Sequence, residues 1–129
     1  MLVAYDGSPA GRRALVHAAD IVGRSGTVTV VNVVPAQAVG SRLQTVTDEQ
    51  RQQQRDILGE AQSVLASHGV HSNVVAACGN PYSEILETAE RIGAQIVVVG
   101  RGRRWRHVLS KSLAIRLACR APRDVLVVG

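Results

Sequence analysis

Val97-Val98-Val99-Gly100-Arg101-Gly102-Arg103-Arg104-Trp105-Arg106-His107-Val108-Leu109-Ser110-Lys111-Ser112-Leu113 opens as a short β-branched apolar run and breaks at two glycines. It then turns strongly basic, and after Leu109 it takes on a helical pattern. The whole reads as a buried strand feeding a glycine-containing loop and then a helix. Such an arrangement holds anions well. Glycine lets backbone N–H groups approach the ligand, and a helix N-terminus contributes roughly half a positive charge. Arg101, Arg103, Arg104 and Arg106 add four cations to the same loop. The expected ligand is therefore anionic, and a nucleotide fits best.

Around this stretch, strand and helix signals alternate along the chain. Leu2 to Tyr5 reads as a strand, and Asp6-Gly7-Ser8-Pro9 as a turn that opens a helix, with Ser8 suited to the N-cap and Pro9 to the first helical position. Ala10, Ala14, Leu15, Ala18, Ala19 and Val22 recur at helical spacing, and Gly23 is the expected stop. Thr27 to Val34 is a nearly continuous valine run, the pattern of a strand buried on both faces of a parallel sheet. Residues 36 to 46 read as a loop. Thr47-Asp48-Glu49-Gln50 is a capping box ahead of a long helix whose inward face is Ile57, Leu58, Ala61, Val64 and Leu65. Its first turns, Gln50 to Arg55, are polar all round and are expected to project into solvent.

Val70 to Ala76 is a weaker strand, suited to a sheet edge. Gly79-Asn80-Pro81 starts a third helix that turns Ile85, Leu86, Ala89 and Ile92 inward and is capped by Gly93. Ile96 to Val99 is a fourth strand. Leu113, Ala114, Leu117 and Ala118 mark a fourth helix, and Val125 to Val128 a fifth strand.

The order βαβαβαβαβ predicts one α/β domain over residues 1–129, with a five-stranded parallel sheet and helices on both faces. Ligands of such sheets bind beyond the carboxyl ends of the strands, where the winding direction reverses. For the order 3-2-1-4-5 that point lies between strands 1 and 4. Tyr5-Asp6 and the segment from Gly100 to Ser112 should meet there. A carboxylate facing an anion-binding loop suits a nucleotide, the carboxylate taking ribose or base and the loop taking phosphate.

Composition narrows the classes further. Phenylalanine is absent, so the core must be aliphatic. Cys78 and Cys119 stand far apart with no ligand-spaced partner, which reads as two reduced thiols and no metal site. The opening Met1 to Asp6 meets an acid at once and does not read as a signal peptide. No apolar run approaches a membrane span, so a cytoplasmic protein with no membrane partner is expected. Net charge is +5, and residues 101–123 hold all of their eight charged groups as cations.

Several of these pieces, taken in order, resemble the universal stress protein family along the whole chain. Leu2-Val3-Ala4-Tyr5-Asp6-Gly7-Ser8 is similar to its first strand and turn, and Val31-Asn32-Val33-Val34 to its second strand. Gly79-Asn80-Pro81 with Glu84-Ile85-Leu86 resembles the start of its third helix. Ile96 to Gly102, Ser112-Leu113 and Ala121 to Val128 resemble its C-terminal signature. The resemblance implies an adenine-nucleotide α-hydrolase-like fold, a stress-response or regulatory role, and a homodimer through Val125–Val128. It implies ATP or AMP as ligand, with Mg²⁺ only beside ATP, and a regulatory protein partner of unknown identity. The strand ends Ala4-Tyr5-Asp6 would meet the ribose or adenine, with Val33 on the adenine. Val99, Gly100, Gly102, Ser112 and Leu113 would line the phosphates.

The ATP-binding members carry Gly-x2-Gly-x9-Gly-(Ser/Thr). Here Gly100 and Gly102 are one residue apart, eight residues separate Gly102 from Lys111, and Lys111 stands where the third glycine belongs. Lys111 either obstructs close backbone contact with phosphate or supplies its ammonium to it.

Each signal also has a plainer reading. Asp6 is by default a turn former. Trp105 can stack on a base or pack over its own loop, and Ser110 or Ser112 can simply cap a helix. Glu84, Glu87 and Glu90 read as one wet helix face. No catalytic constellation is visible, so turnover beyond slow incidental ATP hydrolysis is not expected. Two further classes stay open: a dimeric interaction module that binds no nucleotide, and, less favoured, a nucleic-acid binder using Arg101–Arg106.

Overall fold

The computed structural model describes residues 1–35, 38–39, 42–43, 46–100 and 124–128. Ten elements follow in order: β1 (Leu2–Ala4), α1 (Pro9–Val22), β2 (Thr27–Pro35), β3 (Ala38–Val39), β4 (Arg42–Leu43), α2 (Asp48–Ser67), β5 (His71–Gly79), α3 (Pro81–Ile92), β6 (Ile96–Gly100) and β7 (Asp124–Val128). The main sheet runs β5-β2-β1-β6-β7. Every pairing in it is parallel. Counting only these five strands, the order is 3-2-1-4-5, as the alternating pattern predicts.

Side-chain alternation divides the core in two. Val3, Tyr5, Val28, Val30 and Val98 face α1 and α2, where they meet Ala14, Leu15, Leu58, Ala61 and Leu65. Leu2, Ala4, Val31, Val33, Val97 and Val99 face α3 and meet Ile85 and Ala89. Strands buried on both faces are filled mainly by apolar side chains, which explains the near-continuous valine of β2 and β6. The two faces follow from right-handed crossovers: α1 and α2 precede strands added on one side of β1, and α3 precedes β6 on the other.

Local chemistry sets the helix ends. The Ser8 hydroxyl accepts the Gly11 N–H at 3.0 Å ahead of Pro9. The Thr47 hydroxyl and the Gln50 amide form the reciprocal capping box at α2. Asn80 caps α3, and Gly93 closes it in the left-handed conformation (φ 67°).

Three expectations need correction. The stretch 36–46 is not all loop, because β3 and β4 pair antiparallel within it. Ile92 does not turn inward; it is 39% exposed, and Thr88 takes the buried position with its hydroxyl given to the Glu84 carbonyl at 2.7 Å. The start of α2 does not stand wholly in solvent, since Gln54 is only 7% exposed. The expected fourth helix, the arginine loop 101–106 and Cys119 lie outside the described residues.

Candidate functional site

The site begins where β1 stops. Beyond Ala4 the chain makes one more rung, Tyr5 N–H to the Val31 carbonyl at 3.0 Å, and then turns at Asp6-Gly7. Gly7 carries the positive φ of 83° that this turn needs. Asp6 is 6% exposed, and its Oδ1 accepts the Ser8 N–H at 2.9 Å, so the carboxylate is set at the head of α1. Gly11 makes room for it: a Cβ there would lie 3.0 Å from Asp6 Oδ1 and 2.8 Å from the Tyr5 ring.

Strand geometry then explains Val33. In a parallel ladder a residue's N–H and C=O turn to the same neighbour, and successive residues alternate. Thr29 donates to the Met1 carbonyl at 3.1 Å and Val31 accepts from Tyr5, so the odd residues of β2 face β1. Val33 is the next in that series, but β1 has already ended beside it. The Tyr5 carbonyl, which would accept the following rung, instead accepts the Asn32 side-chain amide at 2.8 Å. The Val33 main chain is thereby aimed past the strand end toward Asp6, while its side chain packs on the α3 side.

A cavity of about 190 Å³ occupies this place, lined by Asp6, Asn32, Val33, Val34, Pro35, Gln50, Gln53, Gln54 and Ile57. That is space on the scale of one flat heterocycle. Three glutamines of α2 form one wall. Gln50 Oε1 is held by the Thr47 N–H at 2.9 Å in the capping box. The Gln54 amide spans the seam between two strands, donating to the Asn32 and Ala77 carbonyls at 2.9 Å each.

Behind Asp6, Tyr5 anchors the strand end to both neighbouring helices. Its hydroxyl donates to Glu60 Oε1 of α2 at 2.8 Å, and Arg12 of α1 pairs with the same oxygen. Burial, then the hydrogen bond to Glu60 and its charge, push the phenol up to about 12. Arg12 is raised further above its ordinary value, chiefly by its hydrogen bond to Glu60.

On the other side of β1, Ala4 pairs with Val99 in register. Gly100, which pairs with Val128, packs on the first turn of α1. A Cβ on it would lie 2.6 Å from the Ala10 carbonyl carbon and the Gly11 nitrogen. The structure therefore brings together Ala4, Tyr5, Asp6, Val33, Val99 and Gly100, with Asp6 and Val33 sharing the cavity. Gly102, Lys111, Ser112 and Leu113 lie outside the described residues. The described cavity opens on the β2 side of Asp6.

Sequence reasoning missed the amides. Asn32 interrupts five residues of otherwise pure valine, Val30 to Val34, and a lone amide there is a signal. Gln54 continues the buried stripe Leu58, Ala61, Leu65 one step upstream at helical spacing. Among the described residues no three metal-ligating side chains cluster. No described helix is long and apolar enough to cross a membrane.

Across residues 1–129 the sequence matches the model of the universal stress protein family. The chain belongs to that family. Among solved structures it is similar to a universal stress protein family member from Burkholderia pseudomallei, at 28% identity and a TM-score of 0.74, covering 98% of this chain and 92% of that one. It is also similar to the universal stress protein from Archaeoglobus fulgidus in complex with dAMP, at 23% identity and a TM-score of 0.74, covering 99% and 95%. A third, a universal stress protein in complex with cAMP, has 23% identity and a TM-score of 0.68, covering 100% and 97%. Comparison with curated proteins finds no match. In this universal stress protein, then, the fold brings a strand-end carboxylate, an outward-facing strand main chain and a glutamine wall around one cavity.

Proposed function

We propose that this universal stress protein binds an adenine nucleotide, with the base in the cavity beside Asp6 and the sugar and phosphates leading toward Gly100 and the residues after it. The observation that carries the reading is the main chain of Val33, a donor and an acceptor side by side beyond the end of β1, opposite a buried carboxylate. That pair matches the hydrogen-bonding edge of a purine, and the cavity has the volume of a base. Two relatives solved in complex with dAMP and cAMP support the same ligand class. ATP or AMP would be bound, and Mg²⁺ would enter only with the phosphates of ATP.

The role is regulatory, exercised in the cytoplasm through an as yet unidentified protein partner, and not one of turnover. Asp6 is the single carboxylate among the described residues of the cavity wall, and it already holds the Ser8 N–H. A general acid–base pair needs a second group there. The active form is a homodimer through β7. This Val-rich strand ends the sheet, and pairing with a twin would cover its open edge.

Calorimetric titration with AMP and ATP tests the reading, with Asp6→Ala and Lys111→Gly beside the wild type. Saturable wild-type binding, reduced at least tenfold by Asp6→Ala, is the expected result. Loss in Lys111→Gly would make that lysine a phosphate ligand. Absence of wild-type binding to either nucleotide overturns the proposal and leaves the dimeric interaction module as the function.

A further inference from the structure

Gln54 of the cavity wall is a buried amide whose two donors are both taken before any ligand arrives. A glutamine amide has two N–H donors and one carbonyl acceptor. Gln54 gives its Nε2 to the Asn32 carbonyl and to the Ala77 carbonyl, which uses both donors. The polar atom it has left for an occupant is therefore Oε1, an acceptor. Turning the amide over would set that oxygen against two carbonyl oxygens and break both bonds. With 7% of its surface exposed, Gln54 also has little water to compensate such a flip.

We propose that Gln54 sets the base preference of this pocket, accepting a ligand that carries an amino group and rejecting one that carries an oxo group at the same ring position. The proposal rests on the reading that a base enters the cavity, and it names what selects that base. The Val33 main chain supplies one donor and one acceptor, so by itself it suits either a 6-amino or a 6-oxo purine after a small shift. Asp6 adds acceptor oxygens at the opposite side. Gln54, held in one orientation, breaks the tie in favour of a donor. An oxo group placed against it leaves two buried acceptors facing each other with no proton between them. Sites built around a required hydrogen bond reject analogues lacking it far more strongly than apolar pockets reject a missing methylene.

The test compares AMP, purine riboside 5′-monophosphate and IMP by calorimetry on the whole protein. These ligands carry an amino group, a hydrogen and an oxo group at one position. The wild type should bind AMP most tightly and IMP weakest, with AMP favoured over IMP by about 10- to 100-fold. Gln54→Met removes the acceptor, and Gln54→Asn draws it back by one methylene. Either should bring AMP and IMP to within about threefold. Gln62→Ala, on the same helix but exposed and away from the cavity, should leave the wild-type ratio in place. Wild-type binding of AMP and IMP within about threefold overturns this proposal and leaves the nucleotide reading intact. A wild-type AMP preference that persists unchanged in both Gln54 variants overturns it as well. Failure of AMP itself to saturate removes the nucleotide reading and this inference together.

Discussion

Replacing glycine by alanine at positions 100 and 59 should change stability in opposite directions. At Gly100 the new Cβ would sit 2.6 Å from the Ala10 carbonyl carbon and the Gly11 nitrogen, and 2.7 Å from the Ala10 oxygen. All three are main-chain atoms of the first turn of α1, so no rotamer change relieves them. Ordinary contact begins at 3.4 Å, so that turn must retreat by the difference between 3.4 and 2.6 Å, about 0.8 Å. Overpacking of this kind costs about 1–3 kcal/mol. Alanine recovers about 0.5–1 kcal/mol of backbone entropy in a strand. A net loss near 1 kcal/mol lowers Tm by about 3–5 °C in a chain of this size. At Gly59, inside α2, a Cβ meets nothing within 4 Å. There alanine gains about 0.8–1 kcal/mol of helix propensity and raises Tm by about 3–4 °C. Thermal melts of the two variants beside wild type are sufficient. A Gly100→Ala protein melting at or above the wild type would refute the claim that the absent side chain is what lets α1 rest on β6. The same shift moves Asp6, whose Oδ1 accepts the N–H of the N-cap Ser8, so AMP affinity should fall with stability in Gly100→Ala and stay unchanged in Gly59→Ala.

Two other outcomes follow from single contacts. With Tyr82→Phe removing the other tyrosine, absorbance titration of Tyr5 should show its phenol ionising near 12, where its hydrogen bond to Glu60 and its burial hold it. Because the folded protein keeps this proton longer than the unfolded chain, Tyr5 contributes stability that is fully present below pH 10 and lost between 10 and about 12, at most about 3 kcal/mol; a phenol that titrates at 10 in the folded protein contradicts it. Val127→Lys, which places a charge on the terminal strand, should convert a dimer to monomer in sedimentation, and a wild type that is already monomeric removes the β7 interface from the functional reading.

Periodicity carried most of the fold. A valine run such as Thr27–Pro35 is compatible with little besides a strand buried on both faces, and Ser8-Pro9, Thr47–Gln50 and Gly93 announce their helix ends through contacts within a few residues. Ile92 departs from its expected place because helical spacing locates a face without saying how far the neighbouring strand extends beneath it. The short pair β3 and β4 was missed because neither strand is long enough to show alternation.

The site divides along the same line. Asp6 was legible because it ends a strand at the switch point, which topology alone locates, and Val33 because the family resemblance marks it. What the sequence by itself determined is the five strands of the main sheet, the three described long helices and the strand order, and hence the end of the sheet where a ligand is expected. These depend on local propensity, side-chain period and the handedness of crossovers. Only the tertiary structure decided what the cavity presents to a ligand. Asn32 taking the Tyr5 carbonyl, Gln54 bridging β2 and β5, and Gly100 lying under α1 join residues 22 to about 90 positions apart in the chain. No local pattern encodes such a contact. Each depends on where a donor or a missing side chain falls once the sheet and its helices have packed.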